Sequence, residues 1–245
     1  MKPITQQEIT DYVAANIQIF HQKRLESLQK LKMLDVVRRK NPYLFKAKNV
    51  NTAPEFIKII LDAHLSSQEE TIFGGFLEEL AIFICSQVYG GQKSAAEGID
   101  LEFERDTIRY IVSIKSGPNW GNSSQVAKLR DNFRKAKRIL RTNTASKNVV
   151  AVNGCCYGKD RKPDKGEYLK LCGQQFWQFI SGDPQLYTDI IEPLGYQAEE
   201  RNDQFLRAYA QVINKFTLEF IGKFCDAEGN MLWEEIVKYN SEETP

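Results

Sequence analysis

A change of hydrophobic period near the middle of the chain constrains the fold most strongly. Apolar and acidic residues alternate strictly over residues 99–104, and a second alternating segment covers residues 108–115. A period of two residues is typical of a β-strand that buries one face. Arg105 and Asp106 separate the two segments and predict a tight turn, so the sequence predicts a β-hairpin. With this two-residue turn, Glu102 is expected to lie opposite Arg109.

Helical periodicity precedes the predicted hairpin. Apolar residues recur at intervals of three and four over roughly the first thirty positions, and Thr5 and Glu8 have the spacing of a capping box. Pro54 precedes a second predicted helix. A third is expected to start after residues 66–67, both serine, and to end at residues 90–91, both glycine.

The segment after the hairpin predicts a crossover to another strand. Residues 116–122 are rich in glycine and polar side chains and predict a loop. Ser123 or Ser124 is expected to cap a long helix to about Arg141, and residues 148–154 predict a buried strand. A strand–helix–strand unit normally makes a parallel connection, so the expected class is α/β with a mixed central sheet flanked by helices. Further helices are predicted at residues 173–181, 184–192, 203–224 and 231–239.

The composition excludes several classes of protein. Hydrophobic residues make up 42% of the chain and charged residues 27%, which excludes a disordered chain. The nearest apolar run, residues 80–85, is far shorter than the roughly 18 residues of a membrane span, and no secretion signal is recognisable. Five cysteines without C-x-x-C spacing and two distant histidines argue against structural zinc. We therefore expect a cytoplasmic protein with free, buried thiols.

Charge is strongly segregated along the chain, although the net charge is only +1. Residues 105–165 carry fifteen Lys and Arg against four Asp and Glu, whereas residues 51–104 carry two against ten. A basic block of this size in a nearly neutral protein predicts a surface for a polyanion. The alternative is that these cations only solvate exposed helix faces.

The polar face of the predicted hairpin carries a candidate active site. The alternation places Asp100, Ser113 and Lys115 on this face, and the preceding helix carries Glu78 and Glu79 among apolar neighbours. Carboxylates can hold Mg²⁺, which lowers the pKa of bound water. A lysine can orient that water and offset negative charge on a phosphate. The pattern therefore predicts metal-assisted hydrolysis of a phosphodiester.

These residues resemble the motif of the PD-(D/E)XK nuclease superfamily. Gly98-Ile99-Asp100, followed by Ser113-Ile114-Lys115 at a strand end, is similar to its core, and the GFLEE sequence at 75–79 is similar to its helix-borne glutamate. The KNPYLF sequence at 40–45 and the KSGPNWGN sequence at 115–122 are similar to type II restriction endonucleases that cut GGNCC-like sites.

The resemblance implies a single nuclease domain with a restriction-endonuclease-like core and extra helices at both ends. Its expected parts are an N-terminal helical region at 1–65, a catalytic core at 66–155 and a mostly helical part at 156–245. The implied reaction is Mg²⁺-dependent, sequence-specific hydrolysis of double-stranded DNA to 5′-phosphate and 3′-hydroxyl ends, with Mn²⁺ as a substitute. A homodimer is expected because such enzymes usually match palindromic sites by two-fold symmetry. A cognate DNA methyltransferase is expected as a genetic partner.

Ser113 departs from the family pattern, which has a second acid at this position. A hydroxyl is a poorer Mg²⁺ ligand than a carboxylate, so an acid from elsewhere is expected to replace it. Glu79 or Glu78 is the natural candidate, and Glu97 and Glu102 are weaker ones. The predicted catalytic residues are Asp100, Lys115, Glu79, Glu78 and Ser113, and the predicted metal ligands are Asp100, Glu79 and the backbone carbonyl of Ile114.

The loop after Lys115 and the helix that follows it are the predicted DNA contacts. Amide and hydroxyl side chains can read base edges or hold phosphates, and a basic helix face can follow the DNA backbone. The predicted DNA-binding residues are Ser116, Asn119, Trp120, Asn122, Ser123, Ser124, Gln125, Lys128, Arg134, Lys137 and Arg138.

Two other functions are compatible with the same residues. One is a structure-specific repair or recombination nuclease of the same fold, and the other is a non-catalytic DNA-binding module that lost the second acid at Ser113. Digestion of a plasmid with Mg²⁺ separates the three, because they predict discrete bands, a smear or branched-substrate cutting, and no cutting.

Overall fold

The computed structural model describes residues 3–143 and 148–243, except for the side chains of 141–143. The chain forms two compact units. The first comprises Met1–Gln18 and Phe73–Tyr196, and the second comprises Ile19–Ile72 and Gln197–Pro245. Two long helices, α1 (Gln6–Gln29) and α4 (Ala53–Tyr89), contribute residues to both units.

The first unit is built on a mixed five-stranded sheet. The second strand runs antiparallel to the first and to the third, and the third, fourth and fifth are parallel. Helix α5 (Ser123–Asn143) makes the connection between the two central parallel strands, which confirms the α/β class. In spatial order the strands are β1 (Gln92–Lys93), β2 (Leu101–Arg105), β3 (Ile108–Lys115), β4 (Val149–Cys155) and β5 (Leu169–Cys172).

Helices cover this sheet because the sequence gives them apolar faces of the right period. Helix α5 buries Leu129, Phe133 and Ala136 against the sheet residues Ile111 and Ala151. Three shorter helices follow the last strand, and they are α6 (Gln174–Ser181), α7 (Leu186–Asp189) and α8 (Ile191–Leu194). The predicted helix at 184–192 is thus two short helices.

The predicted hairpin forms, but its turn lies one residue later than expected. Asp106 and Thr107 are the two turn residues, with φ of 52° and 63°. Two positive φ values give the backbone twist that suits a two-residue hairpin turn. Arg109 therefore lies opposite Glu104 and not opposite Glu102. Its guanidinium still reaches Glu102 diagonally, with an Nη2–Oε2 distance of 2.7 Å.

Helix α4 corrects the prediction of two separate helices, because it runs without a break through residues 66–67. Serine is only mildly unfavourable inside a helix, so two hydroxyl residues do not interrupt a helix whose apolar side chains are buried on both sides of them. The helix ends before Gly90, which has a φ of 68°. The capping box of Thr5 and Glu8 at the start of α1 is confirmed, with N–O distances of 2.8 and 3.2 Å.

The length and composition of α4 would allow it to cross a membrane, since one stretch reaches a mean hydropathy of 1.4. The sequence predicted no membrane span, because it contains no long uninterrupted apolar run. A mean hydropathy can be high in spite of isolated polar residues, so the two criteria give different results for α4. A single such helix is weak support for a span. The core helices of soluble proteins have the same property, and 33% of this stretch of α4 is buried.

The second unit is mainly helical in its described residues, with an isolated antiparallel bridge between Cys225 and Met231. It contains α2 (Met33–Arg38), α3 (Pro42–Ala47), α9 (Ala198–Phe224) and α10 (Trp233–Ser241), together with parts of α1 and α4. Phe56, Phe220 and Phe224 are fully buried in its core. The predicted helices at both ends of the chain are therefore confirmed, although the first one ends at Gln29. All five cysteines are free, and four of them are buried.

Candidate active site

Asp100 is fixed by the backbone of β3. Its own N–H donates to the carbonyl of Val112 at 2.8 Å, which extends the hairpin by one pair beyond β2. Its carboxylate oxygen Oδ2 accepts a 2.6 Å hydrogen bond from the backbone N–H of Ile114. The hydroxyl of Ser113 donates to the same oxygen at 3.4 Å. Main-chain atoms of β3 take part in two of these three hydrogen bonds, so the hairpin itself determines the position of the carboxylate.

Lys115 lies at the end of β3, beside this carboxylate. Its Nζ is 3.9 Å from Oδ2 of Asp100 and 5.6 Å from the centre of the Trp120 ring. The side chains of Lys115 and Asp100 are 31% and 21% exposed, so both can meet a substrate while much of each is shielded from water. The contact with the indole adds a cation–π attraction to the ion pair. The predicted pairing of Asp100 and Lys115 on one face therefore exists in the structure.

A fully buried amide, Asn153 on β4, supports the position of Trp120. Its Oδ1 accepts a 3.1 Å hydrogen bond from Nε1 of Trp120, and its Nδ2 donates to the carbonyl of Ser113 at 3.1 Å. Sequence reasoning missed this residue. The available signal was an amide at the end of an otherwise apolar strand, since a buried polar side chain requires a partner.

The two helix glutamates differ in their surroundings. Glu79 is exposed, and its Oε1 pairs with Nζ of Lys93 at 2.6 Å. Glu78 is half-buried, and burial together with the negative charge of Asp100 raises the pKa of its carboxyl. Lys93 and Lys115 act on Glu78 in the opposite direction. The charge of Glu78 therefore interacts with those of both Asp100 and Lys115.

The backbone carbonyl of Ile114 points to the same side of β3 as Asp100. In a strand, the N–H and C=O of one residue project in the same direction, and the Ile114 N–H donates to Asp100. Of the predicted metal ligands, Asp100 and the Ile114 carbonyl thus lie on this side of the strand, whereas Glu79 is paired with Lys93.

The donor set fits a Mg²⁺ ion, which prefers oxygen ligands and is usually held by one or two carboxylates together with waters and substrate phosphates. Burial and, after it, the negative charge of Asp100 raise the pKa of Glu78, and a bound cation would offset both effects. Within residues 3–143 and 148–243 there is no group of three or more His, Cys, Asp or Glu side chains suited to hold a metal. Asp100, Glu78 and the Ile114 carbonyl would thus have to be completed by water or substrate.

A cavity of about 360 Å³ opens beside Lys115. Gly98 on its wall has a φ of 72°, and a Cβ there would lie 2.0 Å from the amide nitrogen of Asn132. Only glycine therefore fits at this position of the motif. The lining residues are Gly98, Ser113, Lys115, Trp120, Gln125, Lys128, Leu129 and Asn132.

A comparison with protein families identifies the family of this chain. A family model described as type II restriction endonuclease EcoO109I matches residues 7–202, which include Glu78, Asp100 and Lys115. The chain belongs to this family. The family identifies DNA as the substrate of this restriction endonuclease and endonucleolytic cleavage as its class of activity. No curated protein sequence matches the chain with significant similarity.

The predicted DNA-contacting loop of this restriction endonuclease forms at the carboxyl end of β3. Asn119 is exposed and Trp120 is half-buried beside Lys115. Ser123 and Ser124 are exposed at the start of α5, but neither is the cap that the sequence predicted. Asn122 is the cap, because its Oδ1 accepts from the N–H of Gln125 at 3.0 Å while the side chain of Gln125 accepts from the N–H of Asn122 at 2.9 Å.

Most of the other predicted DNA contacts have partners within the protein. Ser116 is half-buried, and a Cβ on Gly74 of helix α4 would lie 3.3 Å from it. On α5, Nζ of Lys128 is 3.5 Å from Glu97, and Nε of Arg134 is 3.6 Å from Glu167. Lys137 donates to the backbone carbonyl of Glu167 at 2.9 Å, and Arg138 is exposed. Acidic partners therefore offset part of the positive charge of this helix.

Proposed function

We propose that this restriction endonuclease hydrolyses phosphodiester bonds of double-stranded DNA at specific sequences in the presence of Mg²⁺, with Mn²⁺ as a substitute. The observation that supports this best is the pairing of Lys115 with Asp100 at the end of β3. Lys115 lies 3.9 Å from the Asp100 carboxylate, and Glu78 shares the electrostatic field of both. Such a group of acids and a lysine beside a strand end suits phosphodiester hydrolysis to 5′-phosphate and 3′-hydroxyl products.

In this proposal Asp100 and Glu78 bind the cation, together with the carbonyl of Ile114. Glu78 takes the place that the sequence assigned first to Glu79, because Glu79 is exposed and paired with Lys93. Glu78 then supplies the acid that Ser113 cannot. A bound Mg²⁺ lowers the pKa of its water and neutralises charge that develops on the phosphate.

Lys115 orients the attacking water and stabilises the additional negative charge on the phosphate oxygens. Its ion pair with Asp100 and its contact with Trp120 limit the directions in which the ammonium can point. Less reorganisation is then needed when the substrate arrives, which is the condition for a large electrostatic contribution to catalysis.

The finer features of the proposal rest on the residues and on family resemblance. They are a PD-(D/E)XK core in a single nuclease domain, recognition of a GGNCC-like site, a homodimer that matches a palindromic site, a cognate DNA methyltransferase and a cytoplasmic location.

The test is a plasmid digest with the purified full chain. Discrete fragments with Mg²⁺ or Mn²⁺, absent with EDTA, are expected, and sequencing of the fragment ends gives the site and the end chemistry. A smear or preferential cutting of branched DNA would support the structure-specific nuclease instead. Tight DNA binding without cutting under any divalent cation would support the non-catalytic module.

A further inference from the structure

We propose that the segment of residues 157–166, between β4 and β5, is a second DNA-contacting loop in which Lys159 and Arg161 bind backbone phosphates. This inference deepens the proposed function, on which it rests, by assigning a DNA-contacting surface outside the residues discussed so far. Three observations support it. They are the position of the segment, its close packing against the loop at 116–122, and the exposure of its positively charged side chains.

The segment emerges beside the catalytic strand end. Lys115 is the register partner of Cys155 in the parallel pair of β3 and β4. The pairing continues beyond both strands, since the N–H of Cys156 donates to Lys115 at 2.9 Å and that of Tyr157 donates to Ser116 at 3.1 Å. The basic segment therefore begins at the same sheet edge as Lys115, and DNA that reaches Lys115 also passes this edge.

The two loops at this edge are interlocked. A Cβ on Gly117 would lie 2.3 Å from the ring of Tyr157, and a Cβ on Gly158 would lie 2.5 Å from the ring of Pro118. Gly158 also has a φ of 91°, which other residues rarely adopt. Each loop thus packs on a glycine of the other, so their relative position is set by direct van der Waals contact.

The carboxylate of Asp160 stabilises the conformation of the segment. Its Oδ1 accepts from the N–H of Lys162 at 2.9 Å and from Nζ of Lys165 at 3.0 Å. Lys170 lies 3.7 Å from the same carboxylate and donates to the carbonyl of Pro118 at 2.8 Å. These bonds join the segment to the loop at 116–122. Lys159 and Arg161, the neighbours of Asp160 in the chain, therefore lie on a turn whose conformation is fixed by hydrogen bonds and ion pairs.

The cations at the surface of this turn face no acidic partner among the described residues. Lys159, Arg161 and Lys162 are exposed, and none has a side-chain hydrogen bond or ion pair within residues 3–143 and 148–243. Lys159 and Arg161 also line a cleft of about 630 Å³. Helix α5 differs, since most of its described cations face an acid. These pairs are Lys128 with Glu97, Arg130 with Glu167, Arg134 with Glu167 and Lys135 with Asp131.

This difference predicts where the DNA backbone binds. A cation that is already paired with a carboxylate must give up or share this ion pair when it binds a phosphate. An unpaired cation releases condensed counterions from the DNA without losing an ion pair in the protein. The positive charge available at the catalytic edge therefore resides on Lys159 and Arg161 more than on α5. Phosphate recognition requires only charge and position, which a braced turn with two unpaired cations provides.

The test compares two double variants of the full chain that remove equal charge. Lys159→Ala with Arg161→Ala removes the unpaired cations, and Arg130→Ala with Lys135→Ala removes two paired ones from α5. Binding to a short DNA duplex is measured by fluorescence anisotropy with EDTA, over a range of KCl concentrations, since phosphate contacts do not depend on the cleavage site. The slope of log K against log salt is negative. Its magnitude should decrease by about 1.8 in the first variant, which corresponds to two phosphate contacts, and by much less in the second.

Equal slopes for the first variant and the wild type would overturn the proposal, as would equal losses in both double variants. A single Arg161→Lys variant should keep the slope, because a phosphate accepts any cation. If it keeps the slope but cuts additional sequences, Arg161 reads a base and the phosphate assignment is wrong. The salt slope requires no cleavage, so failure of this inference is distinguishable from failure of the proposed reaction, which the plasmid digest tests.

Discussion

The backbone N–H of Ile114 lies 2.6 Å from Oδ2 of Asp100. Ser113 and Lys115 approach the same oxygen, at 3.4 and 3.9 Å. Oδ1 of Asp100 has no hydrogen bond or ion pair to any of the described residues. One oxygen of this carboxylate therefore maintains the hairpin while the other can face a cation, so a single side chain serves both the fold and the site.

Replacing Lys115 by alanine is expected to lower the rate of plasmid cleavage at least about a hundredfold, which is the usual effect of losing one positioned electrostatic group. DNA binding should change by less than about tenfold, because one charge among many phosphate contacts is removed. Single-turnover cleavage and anisotropy binding measure the two effects. Lys135→Ala removes the same charge from the outer face of α5 and should cut at the wild-type rate. Wild-type cutting by Lys115→Ala would remove this residue from the reaction.

The two adjacent glutamates of α4 should give opposite results. Glu78→Gln is expected to abolish most Mg²⁺-dependent cleavage and to raise the Mg²⁺ concentration needed for half-maximal rate, because a neutral amide is a poor ligand. Glu79→Gln should retain cleavage, since Glu79 is exposed and paired with Lys93. Each variant is titrated with Mg²⁺ and Mn²⁺ at fixed DNA concentration. Retained cleavage in Glu78→Gln with loss in Glu79→Gln would reverse the assignment.

This choice between Glu78 and Glu79 shows where sequence reasoning reaches its limit. The period-two alternation was enough to place Asp100, Ser113 and Lys115 together, because strand geometry is local. Adjacent helix positions point about 100° apart, and tertiary packing decides which of them faces the sheet. The sequence therefore supplied both candidates, with Glu79 placed first, but no local pattern could decide between them.

Other differences have similar causes. The strands β1 and β5 contain two and four residues, too few for any period to be recognised. Asn153 was unremarked because its partner Trp120 lies 33 positions away in the chain. The turn of the hairpin was placed one residue too early because Thr107 is an unfavourable residue for a positive φ, although the fold requires one there.

A substitution in the hairpin turn should increase the stability of the protein. Thr107 has a φ of 63°, which strains a β-branched residue, so Thr107→Gly should raise the free energy of unfolding by about 1 kcal/mol. Asp106→Gly should raise it less, because aspartate tolerates a positive φ better than threonine does. Urea unfolding followed by circular dichroism compares the two variants. Equal gains, or destabilisation by Thr107→Gly, would show that the turn is not strained at this residue.

The second unit should lose stability in mild acid because of its histidines. Burial, and then the charges of Lys40 and Arg39, lower the pKa of His64, and its Nε2 is buried without a hydrogen-bond partner among the described residues. A lowered pKa means that the unfolded chain binds the proton more tightly than the folded protein. The free energy of unfolding is therefore undiminished above the ordinary pKa of about 6.5 and falls as the pH drops below it towards the lowered value.

The measurement is urea unfolding at pH 7.5 and pH 5.5 for the wild type and His64→Gln. Carboxylates titrate in both proteins, so the informative quantity is the difference between their losses. The variant should lose less stability than the wild type over this interval. An identical loss would show that His64 is protonated equally easily in the folded and unfolded states.

Asn153 tests the link between the core of the sheet and the active site. Replacing it by leucine keeps the volume but leaves the Ser113 carbonyl and the Trp120 N–H without their buried partner, at an expected cost of about 2–3 kcal/mol in unfolding free energy. Cleavage should also fall, by about tenfold or more, because the Trp120 ring no longer has a fixed position beside Lys115. The control is Val152→Ala, which perturbs the next residue of β4. Its side chain is fully buried but points to the opposite face of the sheet.

Both variants should lower the melting temperature, and both are assayed well below it. Only Asn153→Leu should then cut slowly, with DNA binding near that of the wild type. Equal cleavage by the two variants would mean that Asn153 contributes to stability alone. A slow Asn153→Leu beside an active Val152→Ala would instead show that a buried amide on β4 positions Lys115 through the indole that lies between them.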